Sequence, residues 1–405
     1  MFPSICKGVT FMKDWKSTIK GGTNRRKFLK ATGALGVVGL AGCSDSGNGG
    51  NGGNGGNGGN GGSGGGGDGG SGGNGSNGGN GSDTVSWTIG TSGPDSATHA
   101  SGVAMAQVIS NNSDMIDMSA QTTGGTAANL PLIANGELDI AQSTSWGVVQ
   151  ANAGNPPYNE KLGKTMTQVI PFMSIEYFLI KRDVDKLADI KTVSDIPQDG
   201  SINMAFGDRA GTNYFAGIDA FEMSGIENPE EKYNISSMDW GSQGSAIRDG
   251  RLDICMGYTV SQVTTVGWEQ EVDATTEIDV VEWEFDQSDV ANSGLPYIYL
   301  EAPADVWEQE MSVSTIPSLG VGYETVFPSE IDDELAYEFI SVVHDNIDQV
   351  RNASAVLEGA GPELTKELTL ASPDAPVHPG AEKYMREEGL WSDNMTTLEQ
   401  YESNQ

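Results

Sequence analysis

The chain has 405 residues, with 22 basic against 56 acidic side chains and a formal net charge of −34. That balance argues against nucleic acid as a partner, because a phosphate backbone is held by lysine and arginine. The three histidines and three cysteines leave little material for a His/Cys zinc centre, and no GxSxG, HExxH, Walker-type or EF-hand run is present.

Residues 1–42 read as a targeting segment. Asn24-Arg25-Arg26-Lys27-Phe28-Leu29-Lys30 is similar to a twin-arginine export signal, with Asn where Ser or Thr is commoner. The small apolar run at 31–41 is too short to cross a bilayer. Leu40-Ala41-Gly42-Cys43 resembles a lipobox, in which the Cys43 sulfur is alkylated by lipid and becomes the new first residue. The alternative is an ordinary secretory signal with a coincidental cysteine. Met12 is a second candidate start, since residues 1–20 add nothing to the signal. Residues 43–83 are almost wholly Gly, Asn and Ser, which cannot bury enough apolar surface to offset their ordering entropy. They are expected to form a flexible tether with a root-mean-square reach of roughly 35 Å. A tether is useful only if Cys43 is anchored, so the two readings support each other. The expected location is outside the cytoplasm, on the membrane.

Without residues 1–42 the chain keeps 14 basic and 55 acidic residues, a net charge of about −41. Scattered acids of this density read as a solvated surface suited to high salt, where screening makes the repulsion tolerable. Cys255 is left without a partner and sits in the apolar run from Leu252 to Met256, so a buried core thiol is expected and no internal disulfide.

The folded part begins with a strand, loop, helix, strand, loop, helix, strand pattern over residues 87–142. Trp87-Thr88-Ile89 runs into a loop from Gly90 to Gly102, and Met105, Val108 and Ile109 then mark one helix face. A strand near Met118 opens into Thr122-Thr123-Gly124-Gly125-Thr126, and a short helix stops at Gly136, a left-handed cap. Pro131 is tolerated only in a first helical turn, so this helix is expected to start near Ala128 or Asn129. Two small-residue loops thus lie at strand carboxyl ends and helix amino ends, where free N–H groups and the helix dipole favour a carboxylate or phosphate. Read alone, the Gly and Thr residues could serve only as turns.

A second copy follows. Residues 203–213 are again a strand running into a Gly/Thr loop, and a helix carries Tyr214, Ile218 and Phe221 on one face. Residues 241–250 repeat the loop, helix and glycine stop, and Gly136-Glu137-Leu138-Asp139-Ile140 returns as Gly250-Arg251-Leu252-Asp253-Ile254. Asp139 and Asp253 are expected to anchor those turns. Two similar α/β lobes suggest a cleft between them. Residues 167–182, the strongest β run, should carry the chain from the first lobe to the second, and residues 278–285 should bring it back. The segments at 295–300 and 312–323 are expected to rejoin the first lobe, followed by a helix over 334–347. Lobe 1 is therefore assigned to 84–178, lobe 2 to 179–288, and the return and C-terminal segment to 289–405.

Four motifs then resemble one family. The Gly90-Thr91 to Gly102 loop, Thr123 to Leu130 with Gly136-Glu137-Leu138-Asp139, Gly207 with Gly211-Thr212, and His378-Pro379-Gly380-Ala381 with Tyr384 and Glu388-Gly389-Leu390-Trp391 are similar, in order, to the signatures of TAXI-type solute receptors of TRAP transporters. The resemblance covers roughly residues 85–391. The chain departs from it at Pro94-Asp95-Ser96, where more glycines are usual, at Thr98-His99 in place of an aromatic pair, and at Arg209-Ala210 and Asn213 around the second-lobe loop. The implied fold is a two-lobed α/β type II periplasmic-binding-protein arrangement with two hinge crossovers. The implied function is capture of a small carboxylate-bearing solute, a glutamate-like amino acid or organic acid, for a TRAP-type permease, with no cofactor and no catalysis. The alternatives are a binding lipoprotein of another transporter or sensory system, or an enzyme on the same scaffold.

The expected ligand contacts are Thr91, Ser92, Ser96, Thr98 and His99 in the first loop, Thr123, Gly125, Thr126 and Asn129 in the second, and Arg209, Gly211, Thr212 and Tyr258 in lobe 2. Arg209 is a rare cation inside a Gly/Thr loop and could clamp a carboxylate in two parallel bonds, or pair with one of many surface acids. His99 is open between ligand contact and structure. His378 is expected to fix a turn onto the first lobe, and His344 to pack or lie on the surface. Trp146, Tyr214 and Tyr258 read as aromatic core or as a surface for ligand packing.

Overall fold

The computed structural model describes residues 84–405, so the expected signal, Cys43 and tether lie outside the described residues. The first lobe opens with β1 (Val85–Gly90), α1 (Ala97–Asn112), β2 (Ile116–Gln121), α2 (Thr126–Ala134), β3 (Ile140–Thr144) and α3 (Ser145–Ala153). Strand β4 (Met166–Arg182) then leads to β5 (Asn203–Ala205), α4 (Thr212–Met223), α5 (Pro229–Lys232), β6 (Asn234–Ser236), α6 (Trp240–Arg248) and β7 (Ile254–Val260). Next come α7 (Gly267–Thr275), β8 (Ile278–Val281), α8 (Gln287–Asn292), β9 (Ile298–Pro303) and β10 (Thr315–Pro328). Helices α9 (Asp333–Asp345), α10 (Ile347–Ala353), α11 (Pro362–Ala371), α12 (Pro379–Glu387) and α13 (Leu398–Ser403) finish the chain.

The strands join in the order β2-β1-β3-β10-β4-β7-β5-β6, with β8 on β4 and β9 on β10. The internal repeat is visible in the pairing. β1 lies parallel between β2 and β3, and β5 lies parallel between β6 and β7. Asp139 accepts from the Thr88 N–H at 2.8 Å, and Asp253 accepts from the Asn203 N–H at 3.0 Å. Each aspartate thus ties its turn to the central strand of its own lobe, as expected. Gly136 and Gly250 both stop a helix at positive φ, 74° and 72°.

The lobes are joined by the antiparallel pair β4 and β10. Every residue of β4 but the last is buried, which suits a continuous apolar run covered on both faces. The pairing runs from Met166 opposite Pro328 to Tyr177 opposite Leu319. The return to the first lobe differs from the sequence expectation. β8 stays in lobe 2, pairing with residues 179–182 of β4, and β9 lies along the first half of β10. Trp283 packs edge-on against Phe221, and Trp307 against Phe178, so residues 278–314 complete the second-lobe core. The crossing is made inside β10, near Gly320.

Helix α2 also differs. It begins at Thr126, which places Pro131 beyond its first turn. A proline there has no N–H for the Ala127 carbonyl. The Tyr158 hydroxyl supplies that hydrogen bond instead, at 3.1 Å. Burial pushes the Tyr158 phenol up, so it stays a donor.

The crossover strands carry two fully buried carboxyl groups, both raised by burial but differently partnered. Glu176 on β4 accepts from Ser174, from Thr259 at 2.6 Å and from the Gln262 N–H at 2.9 Å. Glu324 on β10 has no partner for either oxygen among the described residues, and burial pushes its carboxyl well up. The cysteine and two of the histidines lie as expected. Cys255 is a free buried thiol, and His378 is buried, its Nδ1 accepting from the Gly380 N–H at 3.2 Å to cap α12. His344 is buried against Thr365, and burial holds it down near 4.

Two outcomes test this account. Tyr158→Phe should cost about 1 kcal/mol in chemical denaturation, the worth of one hydrogen bond; no loss would mean the Ala127 carbonyl has another donor. Glu324→Gln should remove a pH dependence. Because the folded carboxyl titrates above its unfolded value, the Glu324 contribution to stability is complete below about pH 4.3 and is lost as pH rises, by up to about 1.36 kcal/mol per unit. The variant's stability relative to wild type should therefore grow from pH 4 to pH 8, and parallel curves would contradict a neutral Glu324.

Candidate functional site

Four helix amino ends converge where the lobes meet. From lobe 1, the Ser96 hydroxyl caps α1 by accepting from the His99 N–H at 3.1 Å, and Gly125 precedes α2. From lobe 2, Gly211 precedes α4 and Asp239 caps α6. The Gly-Thr starts of α2 and α4 face each other. The Thr126 and Thr212 hydroxyls are 3.2 Å apart, and Thr212 is 3.0 Å from Thr144. The Ala128 N–H donates to the Ala210 carbonyl at 3.2 Å, and the Thr212 N–H donates to Thr126 Oγ1 at 3.3 Å. These bonds cross the cleft, so the lobes are closed on one another.

Gly125 is needed for that approach. Its φ of 148° belongs to a region that L residues avoid, and a Cβ there would come within 2.5 Å of the Ala210 oxygen. A second seam lies at α3, where the Trp146 ring stacks on Phe215 with centroids 5.2 Å apart and on Tyr297 at 6.5 Å. Such ring pairs add about 0.5–1.5 kcal/mol beyond area burial. The Tyr297 hydroxyl donates to Asp219 at 2.5 Å, while burial lifts that carboxyl to about 6.

The closed cleft leaves a cavity of about 10 Å³, room for about one water. Its walls include Ser92, Ser96, Ala97, Thr98 and Thr126 of lobe 1 and Asn213, Trp240 and Tyr258 of lobe 2. The floor is made by Ile175, Tyr177 and Tyr323 of the crossover strands. The Tyr177 and Tyr323 hydroxyls bond each other directly. Burial raises all three tyrosine phenols, Tyr323 to about 12, so they stay protonated donors. The Tyr258 backbone is fixed from behind. Its N–H donates to Glu269 Oε1 at 2.7 Å, and burial lifts Glu269 to about 8 against the pull of its N–H donors. No Lys, Arg, Asp or Glu is among the lining residues.

The expected contacts therefore divide. Ser92, Ser96, Thr98, Thr126 and Tyr258 line the cleft, and Gly125, Gly211 and Thr212 form its seam. Thr91, Thr123 and Asn129 lie behind it and hold the loops. Thr91 Oγ1 donates to the Gln121 carbonyl at 2.9 Å, and Thr123 Oγ1 to Asn129 Oδ1 at 2.7 Å. The fully buried Asn129 amide donates to the Thr91 carbonyl at 2.6 Å and to Gln142 at 2.7 Å. Its amide group is thus taken up within the protein. His99 Nδ1 lies 3.1 Å from Thr91 Oγ1, away from the lining.

Arg209 departs furthest from the expectation. Its guanidinium donates to Glu230 at 2.6 Å, lies over the Tyr214 ring at 4.5 Å, and is more than half exposed. The loop backbone explains the direction. Gly211 N–H closes a turn on Asp208, which aims Ala210 and Gly211 at the cleft and Arg209 at the surface. Sequence reasoning missed Tyr177, Tyr323, Asn213 and Trp240. Asn213 follows Gly211-Thr212 directly and was within reach. The tyrosines sit inside long β runs that carry no motif, so only the crossing of the strands identifies them.

Comparison with known proteins gives the following. No curated protein matches the chain. Among solved structures, MatC from Rhodopseudomonas palustris with bound malate is 15% identical, covers 76% of this chain and 98% of its own, with a TM-score of 0.44. A binding protein component of a phosphonate ABC transporter from Pseudomonas aeruginosa is 10% identical over 80% of this chain and 93% of its own, with a TM-score of 0.44. A putative sulfonate-binding protein from Methylobacillus flagellatus KT is 12% identical over 78% and 99%, with a TM-score of 0.43. The model of the NMT1-like family matches residues 89–389. With most of its folded part matched, the chain belongs to the NMT1-like family.

Proposed function

We propose that the protein is the extracytoplasmic receptor of a TRAP-type secondary transporter and that it captures a small carboxylate-bearing solute between its lobes. The observation that carries the solute class is the meeting of the Gly125-Thr126 and Gly211-Thr212 helix starts across the cleft. Two positive helix ends brought together repel, and an anion between them turns that repulsion into attraction. A bound carboxylate would replace the direct Thr126–Thr212 bonds as the lobes close around it, on the side of the cleft lined by Ser96 and Thr98. Arg209 has no part in this reading, because Glu230 already holds it.

The TRAP assignment rests on the four sequence signatures and their order. Export by the twin-arginine route, lipid anchoring at Cys43 and a Gly/Asn/Ser tether complete the proposal from the same sequence. The tether would let the closed receptor reach its permease while staying on the membrane.

A thermal-shift screen in molar salt against carboxylic acids, sugars and amines tests the capture reading. A ligand at a hundred times its dissociation constant adds about 2.7 kcal/mol, which should raise the midpoint by about 4 °C in a domain of this size. An acid should give that shift, and sugars or amines alone doing so would oppose the proposal. Gly125→Ala should weaken binding of the same acid by roughly tenfold or more, since the added Cβ meets the Ala210 carbonyl and strains the backbone. Undiminished affinity in the folded variant would mean that closure at this seam is not part of capture.

A further inference from the structure

We infer that the cleft selects acids carrying a hydroxyl or keto group beside the carboxylate over the matching amino acids. The inference rests on the capture reading and narrows its solute class. An amino acid brings an ammonium as well as a carboxylate, and burying an ammonium costs several kcal/mol unless a carboxylate or several acceptors meet it. No acidic side chain lines this cleft. Of the nearby acids, Glu324 beside Tyr323 lies outside the lining with its carboxyl pushed well up by burial, and the others are engaged elsewhere or lie outside the lining. Glu176 faces away from Tyr177 along β4 and is held by Ser174, Thr259 and Gln262. Glu269 is held by the Tyr258 and Val266 N–H groups at 2.7 and 3.2 Å. Asp95 lies by Gly241, in the first turn of α6, outside the lining.

The helix ends add to the discrimination. Each places partial positive charge toward the cleft, which attracts a carboxylate and repels an ammonium. What the floor offers a second ligand group is the Tyr177–Tyr323 hydroxyl pair. Two hydroxyls that now bond each other can each donate to, or accept from, a ligand hydroxyl, and can donate to a keto oxygen. An ammonium has no acceptor to offer them. Tyr177 and Tyr323 are therefore the specificity-determining pair, and the helix starts are the carboxylate site.

The test is calorimetric titration of the full chain with acids matched except at C2: lactate, pyruvate and alanine, then 2-hydroxyglutarate, 2-oxoglutarate and glutamate. In whichever set binds, the hydroxy or keto acid should bind at least about tenfold tighter than the amino acid, the scale of leaving site groups unpaired. An amino acid that binds equally or better, through a site weakened by Gly125→Ala, would overturn the selectivity and leave acid capture standing. Binding by none of the six would count against both. Tyr323→Phe should bring the preference for lactate over propionate, or for 2-hydroxyglutarate over glutarate, close to one; a preserved preference would overturn the role of the pair. If Tyr323→Phe fails to fold by circular dichroism, Tyr177→Phe carries the same expectation.

Discussion

The antiparallel pairing of β4 with β10 is the constraint on which the rest of this structure depends. Both strands run through both lobes, so the first-lobe parallel strands and the second-lobe parallel strands belong to one sheet. The point where they cross is also the floor of the cleft. Tyr177 and Tyr323 meet there because one strand enters lobe 2 as the other leaves it. Helix starts from the two lobes then face each other across that floor, since a loop at the carboxyl end of a parallel strand leads into its helix at the same end of the sheet.

Much of the polar chemistry around the cleft serves position. Asn129, Thr91 and Thr123 form a closed set of hydrogen bonds that fixes the first-lobe loops. In lobe 2 Gln243 does the same work, accepting from the Gly207 N–H at 3.0 Å and donating to the Met256 carbonyl at 2.7 Å. Each repeat thus uses one buried amide to tie its helix to a strand end and a loop. A loop held in this way keeps its remaining hydroxyls and N–H groups aimed at the cleft. That preorganisation reduces the ordering cost of binding.

The electrostatics are divided in the same manner. Acids crowd the surface of a chain with 56 of them, yet the cleft lining has none. The buried carboxyls near the cleft and along the crossover strands, Glu176, Glu269 and Glu324, are all raised by burial, and Glu176 and Glu269 are hydrogen-bonded as well. A neutral or locally compensated carboxyl behind the wall spares an anionic solute much of the repulsion that a free carboxylate would exert. Fixed backbone dipoles then set the sign of the field in the cleft.

The sequence by itself determined the local pieces. The i, i+3, i+4 spacing of Met105, Val108 and Ile109 marks α1, the glycine stops at 136 and 250 end their helices, and the repeated Gly-x-Leu-Asp-Ile run exposes two lobes with the same turn anchors. These features are local, so their periods and backbone demands can be read along the chain. The tertiary structure decided how the pieces are used. Pro131 sits mid-helix only because Tyr158, distant in sequence, supplies the missing donor. Residues 278–314 complete lobe 2 because Trp283 and Trp307 find their partners there. Arg209 and Asn129 have the right chemistry for a ligand, but Glu230 and the neighbouring carbonyls hold them first. Motif chemistry lists what a side chain can bond, and only the packed fold fixes which partner stands within 3 Å of it.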